Sequence, residues 1–582
     1  MTPDADERKF FVARVEINAD GSDRAMTPVN PHTGAEGGRQ DASILLGYGD
    51  ARAVADALNL DRPSAQIEFR VAMPVDPYTQ LIDRTDQGNA NLLIRLTNGN
   101  LRYVHETRQW LRWTGRRWQL DEHETFVTSH ALGVAKLYLE EVRSIRKGVF
   151  RLNSDGNVED RDELFKWAAK CRNKATIEAM IALARKIPGV PVSVNELDRD
   201  PLLLGVDNGV VDLRTGELRE HEAREDYVTK RCPIAYNPDA RAPRWEQFIV
   251  EITAAPIPAE RDANGEVIPE TVGHFTPRRA LARYLKKALG YSLTGMTREQ
   301  KFFLAIGPGS NGKNVVFEAV KRVMGNYATV LPAEALMATS RPADPERPTA
   351  LAASLAGTRF ALASETKDEQ KLDVGLVKNH TGDEEMTARR MRQDPFTFRI
   401  THKLWLMTNN RPDLDHIDAA VRGRLHLIPF DRRWNRPGEF ERDPTLPDGD
   451  KTLGAQLAAE AEGILAWLVR GALMYQLEGL DPPPEVVALT TEYVQEQDYL
   501  GQWLATLQRC APAQGARAAE LFQQFTQWCA AQGIEMKPRT QTAFSLALGK
   551  RGIAWHRAPD GKHYGVRGGA PIPPPVPPPP KK

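Results

Sequence analysis

Apolar residues follow three kinds of pattern along this chain. Four short runs, FFLAIG (Phe302–Gly307), RFALASE (Arg359–Glu365), KLWLMTN (Lys403–Asn409) and RLHLIPF (Arg424–Phe430), are apolar almost throughout. Runs of this length suit strands buried on both faces, and helical segments between them predict a parallel, doubly wound sheet. Helical spacing dominates from about His123 to Lys186. One expected stripe is Leu132, Ala135, Leu137, Leu139 and Val142; a second is Phe165, Ala168, Ala169 and Ile177 through Ile181. Alternation around a turn predicts a β-hairpin over NGVVDLRTGEL (Asn208–Leu218). The stretch WLRWTGRRW, with Trp110, Trp113 and Trp118, reads as strand–turn–strand with packed aromatics; nucleotide stacking is its alternative reading.

Less regular text lies around these elements. Residues 1–80 are rich in Asp, Gly, Pro and Ala and read as a short, partly irregular segment. A polar insert from Ile257 to about Pro277 reads as a surface loop, and the chain becomes helical again beyond about Leu453. Pro484 to about Leu507, with Tyr493, Asp498 and Trp503, reads as a helical connector. The final PIPPPVPPPPKK reads as an extended polyproline tail. The expected organisation is a short segment over 1–80, a mainly helical domain over 81–280, an α/β core over 281–450, a helical connector over 451–510, a further domain over 511–568 and the tail over 569–582.

The run at Phe302 leads into GPGSNGKN, which fits G-x-x-x-x-G-K with Asn in the place usual for Ser or Thr. Gly307, Pro308, Gly309, Ser310, Asn311 and Gly312 would let backbone amides curl around phosphates, helped by the N-terminus of the following helix. Lys313 would bridge β- and γ-phosphates, and Asn314 would offer an amide oxygen to Mg²⁺. Glu365 closes the second strand, where an ATPase holds Mg²⁺ or polarises water; Asn409 closes the third, where it can sense the γ-phosphate or serve as a turn-former before Pro412. Arg422 and Arg424 open the fourth, and Arg424 is the candidate for stabilising transition-state charge on a neighbouring subunit.

Composition narrows the classes. No stretch reaches the roughly eighteen apolar residues needed to span a bilayer, and MTPDADERKF lacks the layout of a secretory leader, so a cytoplasmic setting is expected. Cys171, Cys232, Cys510 and Cys529 are scattered and suggest neither a zinc site nor a disulfide framework. Lys plus Arg and Asp plus Glu both number 77, giving a net charge of zero, so any nucleic-acid contact must be local.

The order GPGSNGKN, ALASETKDEQKLD, LVKNHTGDEEMTARRM, LWLMTNNRPD and VRGRLHLIPF resembles the superfamily 3 helicases, and more narrowly the primase-helicases of poxviruses, satellite phages and plasmids. The resemblance begins near TDQGNA at Thr85 and covers roughly four-fifths of the chain. It implies an AAA+-like core, a homohexameric ring, Mg-ATP hydrolysis and 3′-to-5′ tracking on single-stranded DNA, acting on forks. It makes Lys313 the loop lysine, Glu365 the acidic catalytic residue, Asn409 the sensor and Arg424 the arginine finger. It also implies a DNA-gripping hairpin over Met386–Phe398, with Arg389, Arg390 and Arg392 at or near its tip; Lys403 close by would face DNA or, as the favoured reading, support the sensor strand. The segment before Thr85 shows no acidic pair with a following histidine, so a primase remnant or a small unrelated segment, without primase activity, is expected there.

Ala518–Gln532 and Thr540–Lys550 read as two amphipathic helices, the second with Phe544, Leu546 and Leu548 in or near its apolar face. IAWHRAPDGKHYGV follows as a two-stranded wing. Lys537, Arg539, Lys550, Arg551, Arg557, Lys562 and Arg567 are opposed by little acid, which makes this winged helix a candidate for duplex binding, at an origin for example, with Arg539, Lys550 and Arg551 as its leading contacts; a protein-interaction module is the alternative. Two other functions compete: a DNA-binding initiator or regulatory ATPase without processive unwinding, and a small-molecule P-loop phosphotransferase.

Overall fold

The structure is a computed structural model of the 582-residue chain. It describes residues 11–17, 23–28, 67–73 and 84–568, except 145–149, 153–157, 160, 220–223, 339–349, 365–370, 390–393, 415–418, 437–440, 535 and 537. Two units are distinguished, Met1–Leu197 and Asp198–Lys582.

In the first unit, β1 (Phe11–Ile17), β2 (Asp23–Pro28) and β3 (Ile67–Met73) lie in a sheet ordered β2-β1-β3 that is extended by Phe150–Leu152 and Val158–Glu159. The opening stretch therefore supplies strands to a sheet completed by much later residues. Helix α1 (Asp86–Leu96) is capped by Thr85, whose hydroxyl accepts from the Gly88 amide. β4 (Leu101–Val104), β5 (Gln109–Trp113) and β6 (Trp118–Leu120) form an antiparallel meander. Its aromatics are internal: Trp110 and Trp118 are buried, and Trp113 packs on Trp118 with ring centroids 5.6 Å apart.

Helix α2 (Thr125–Ser144) corrects the expected apolar stripe. It buries Val127, Ala131, Val134, Ala135, Tyr138 and Val142 at helical spacing, whereas Leu132 is 48% exposed. Phe165, expected in the second stripe, is 54% exposed, while Leu164 and Ala168 point inward. Both segments carry more apolar residues than one face can hold, so spacing alone does not choose among overlapping stripes.

The second unit opens with an antiparallel sheet of β7 (Leu203–Val206), β8 (Gly209–Asp212) and β9 (Glu217–Arg219), the expected hairpin included. Helix α3 (Pro243–Thr253) buries Trp245, Phe248, Ile249 and Ile252 in the same core as α4 (Arg279–Leu293). The central sheet is five-stranded and parallel, built from β10 (Phe302–Ile306), β11 (Ala328–Pro332), β12 (Phe360–Ser364), β13 (Lys403–Thr408) and β14 (Leu425–Pro429) in the order β11-β12-β13-β10-β14. The four apolar runs are thus neighbouring strands of one α/β sheet. The fifth strand, ATVLP, is a half-exposed edge and lacks their continuous apolar character.

The other edge strand, β14, is buried along its whole length. Helix α5 (Ala461–Glu478) packs on α4, and α6 (Pro484–Glu496) covers β14, with the Thr490 hydroxyl accepting from the Leu427 amide at 3.0 Å. Covering satisfies an edge amide that would otherwise be open to pairing.

Two buried cations anchor the C-terminal end of α4. Arg359 donates to the carbonyls of Leu293 (2.9 Å) and Leu203 (2.6 Å). Lys403, only 2% exposed, donates to the carbonyls of Thr294 and Thr401. Of the two readings of Lys403, contact with DNA is corrected and internal support is favoured: its ammonium sits on a helix C-terminus inside the fold. Burial, together with the charge of Arg359, holds that ammonium well below the usual lysine range.

The connector read after Pro484 is two helices, α6 and α7 (Tyr499–Ala505), broken at Asp498. Asp498 caps α7 by accepting from the Gly501 amide, and also binds Arg422 (2.8 Å) and both terminal nitrogens of Arg551 (3.0 and 2.5 Å). Arg551, expected at DNA, is instead held in this fork. Burial pushes the Asp498 carboxyl up, but hydrogen bonds from Arg551 and Gly501 and the charges of Arg551 and Arg422 outweigh it and hold the group below its usual range. Its stabilisation is therefore present above the unfolded-state pKa and lost as pH falls through the lower folded value. Asp498→Ala is expected to cost about 2 kcal/mol near neutrality. Urea unfolding of both proteins across acid pH checks this: the difference should disappear as the pH drops.

Candidate functional site

The loop between β10 and helix α8 (Lys313–Met324) lies at the carboxyl edge of the central sheet, where open α/β sheets bind ligands. Gly307 passes so close to the end of β14 that a Cβ there would sit 2.1 Å from the Phe430 carbonyl oxygen. Ser310 and Gly312 have φ of 62° and 82°. A Cβ on Gly312 would also meet Ile252 of α3 at 2.8 Å. Left-handed residues in such a loop favour an amide-lined concavity. Asn311 braces it, donating from Nδ2 to the Phe430 carbonyl (3.0 Å) and accepting at Oδ1 from the Lys313 amide (3.4 Å).

Lys313 begins α8 and is 4% exposed. Its ammonium donates to the carbonyls of Gly307 and Thr408 (the latter at 3.0 Å) and to Asn409 Oδ1 at 3.2 Å. All three acceptors are neutral. Burial pushes the ammonium down to about 8. A cation desolvated among neutral acceptors gains when an anion arrives. The loop, Ser364, Asn409 and Arg436 line a cleft of about 890 Å³, with Asn314 exposed on its wall.

The structure brings together residues 307–314, Ser364 and Asn409. Glu365, directly after Ser364, lies outside the described residues, as do Arg390 and Arg392. Arg424 stands at the opposite end of the sheet, where its carbonyl accepts from the Phe302 amide at 2.8 Å. Its guanidinium binds Thr381 Oγ1 (3.1 Å), the Ala420 carbonyl (2.9 Å) and Gln300 Oε1 (3.4 Å). A strand length separates it from Gly307 of its own chain. The expected hairpin is present as β15 (Glu385–Arg389) paired antiparallel with β16 (Pro395–Arg399), with exposed Arg389 at the end of its first strand.

Arg436 escaped the sequence reading. It donates from Nε to Ser310 Oγ (2.8 Å), and the Trp434 amide donates to the Ser310 carbonyl (2.9 Å). The signal available was Arg432, Arg433 and Arg436 within five residues, directly after the last core run. Arg539 and Lys550 are both exposed, flanking the helix Gln541–Lys550.

Fold and cleft together define an α/β protein with a cation-bearing, anion-receptive loop at the carboxyl edge of a parallel sheet. Residues 90–254 match the family model described as D5 N terminal like, and residues 305–424 match a family of unknown function (DUF5906). The chain is 23% identical to "Putative helicase L207/L206" of Acanthamoeba polyphaga mimivirus over 437 residues, 72% of this chain and 43% of that protein. It is 21% identical to "Putative helicase 022R" of Frog virus 3 over 541 residues, 77% of this chain and 55% of that one. It is 27% identical to "Putative primase C962R" of African swine fever virus over 239 residues, 40% of this chain and 22% of that one. Among solved structures, the apo C-terminal region of NrS-1 aligns over 82% of this chain and 98% of its own, at 8% identity and a TM-score of 0.38. These similarities are to a D5-type family model and to viral proteins named as putative helicases and primases, and the chain spans about half the length of the first two viral relatives.

Proposed function

We propose that this chain acts in DNA replication as an ATP-driven helicase of superfamily 3 type, working as a homohexameric ring on single-stranded and forked DNA. The observation that carries this reading is Lys313, buried in a glycine-shaped loop with Asn409 opposite and no negative charge among its partners in the described residues. A polyphosphate is the ligand such a site suits. ATP would lie with its β- and γ-phosphates on the loop and Lys313. Asn314 and Glu365 are the proposed metal side, Mg²⁺ neutralising charge on the transferred phosphoryl group. Asn409 would hold both Lys313 and the γ-phosphate side.

Arg424, remote from its own chain's cleft, suits action on a neighbouring copy. Arg389, Arg390 and Arg392 are proposed to grip the DNA backbone. The helices and hairpin after Ala518 are proposed as a winged helix that binds duplex through Arg539 and Lys550. Among the described residues no helix is long and apolar enough to cross a membrane.

A regulatory ATPase that assembles on DNA without unwinding it is the second reading, favoured by Asn314 where a hydroxyl usually meets the metal. Mg-ATP hydrolysis with and without single-stranded DNA, alongside unwinding of a forked duplex, tests both. Stimulated hydrolysis with unwinding is the expected result. Hydrolysis without unwinding leaves the regulatory reading, and neither activity overturns the ATPase.

A further inference from the structure

The C-terminal module exposes one tryptophan where its others are internal. Helix α9 (Ala518–Ala531) and helix α10 (Gln541–Lys550) enclose a core in which Trp503 and Trp528 are buried with Phe525 and Phe544. The hairpin of β17 (Trp555–Ala558) and β18 (Gly561–Tyr564) closes this core through Tyr564, which is buried and whose hydroxyl donates to the Ser545 carbonyl at 3.0 Å. Directly opposite Tyr564 in the register, Trp555 keeps 47% of its surface in solvent.

Two cations share its face. The register pairs Arg557 with Lys562, and residues two apart on a strand point to the same side, so Trp555, Arg557 and Lys562 lie together. Both cations are exposed, and the Lys562 ammonium stands 4.5 Å from the Trp555 ring centroid. The one carboxylate of the hairpin, Asp560, is engaged by His563 at 2.9 Å and approached by Arg517 at 3.9 Å. Neither Arg557 nor Lys562 has an acidic partner among the described residues. From Gly533 to Gly568 the chain carries seven Lys and Arg against two Asp and Glu, within a protein of zero net charge.

A half-exposed indole beside two cations that have no described acidic partner matches a ligand with an aromatic face and adjacent negative charge. Duplex grooves offer phosphates and base edges but no open base face. An unpaired nucleotide offers both, and base–aromatic stacking tolerates any sequence. The helix that a winged module usually lays in the major groove has little charge here: α10 presents exposed Gln541, Thr542 and Leu546, and its one basic residue is Lys550 at the end.

We propose that this hairpin is a stacking site for an unpaired base at a single-strand end or fork junction, with Trp555 under the base and Arg557 and Lys562 on the flanking phosphates. It rests on the nucleic-acid role proposed above and adds, beside the duplex contact through Arg539 and Lys550, a second substrate form for the module: a junction or single strand. A base stacking on the indole would displace the Lys562 ammonium from the ring face and free it for the phosphate.

The test is equilibrium anisotropy of the full chain, without nucleotide, on three labelled DNAs: a single strand, a fork and a dumbbell duplex with no open end. Trp555→Ala is expected to weaken single-strand and fork binding about tenfold and to leave the dumbbell within about twofold. Trp555→Phe should restore most of the loss, because a ring remains. Lys562→Gln should lower the salt dependence by about one phosphate contact. Circular dichroism and basal ATP hydrolysis report on folding and should match wild type.

Equal losses on all three DNAs, or none on any, would overturn the stacking site. Wild-type protein that binds no DNA would overturn the nucleic-acid role itself, so the two failures are distinguishable.

Discussion

Lys313→Ala is expected to lower ATP hydrolysis by about two to three orders of magnitude, the scale on which removing one preorganised charge-stabilising donor acts. No other described cation is buried in the loop: Lys313 alone is seated on the carbonyls of Gly307 and Thr408, while Arg436 stands exposed at the rim. Stability should change little, because the acceptors left behind border an open cleft and can take water.

The same residue sets a pH dependence. With its ammonium pushed down to about 8, the nucleotide-free protein loses that proton as pH rises through this value, whereas bound phosphates favour the charged form. Nucleotide affinity should therefore be full below pH 8 and fall above it. Lys313→Arg should flatten the profile, since guanidinium stays protonated. Titration of a fluorescent ATP analogue from pH 7 to 9.5 measures this. An unchanged wild-type affinity across that range would show that the ammonium does not meet the phosphates.

Gly290→Ala is expected to destabilise the protein by about 3 kcal/mol, at the upper end of overpacking costs. Helix propensity argues the other way, since replacing an internal helical glycine by alanine gains about 0.5–1 kcal/mol. Geometry decides the sign. At the crossing of α4 and α5, a Cβ on Gly290 would lie 2.1 Å from the Gly471 carbonyl carbon and 2.3 Å from the Ala472 nitrogen. These are backbone atoms and cannot swing aside, so the helices would have to part. Gly471 is constrained reciprocally, with its own Cβ position 2.4 Å from the Lys286 carbonyl oxygen.

Gly133 in α2 is the control. Nothing lies within 4 Å of its Cβ position, so Gly133→Ala should gain the propensity term alone. Guanidinium unfolding of the three proteins compares them. Equal effects of the two substitutions would mean that the helix crossing relaxes freely.

Much of the core could be read directly from the chain. FFLAI, FALAS, KLWLMT and LHLIP are strands because burial on both faces demands uninterrupted apolar residues, which no solvent-facing segment keeps. GPGSNGKN was legible for a related reason: a loop pressed against Phe430 and α3 tolerates only glycine at positions 307 and 312. The hairpin around Arg389 was located by the resemblance, and its two strands pair as that implied. The edge strand ATVLP was not, because half-exposed strands resemble loops in composition.

Which cations face outward could not be read at all. Lys403 and Arg551 look like any surface base in sequence, yet one seals the end of α4 and the other is forked onto Asp498. Arg436 looked incidental and stands on Ser310. By itself the sequence determined much of the element type and the glycine-shaped form of the loop before Lys313, since both depend on local pattern. Strand order, the choice among overlapping apolar stripes and the partner of each charge were decided by the tertiary structure. They depend on which surfaces meet across tens to hundreds of residues, and no local periodicity encodes that.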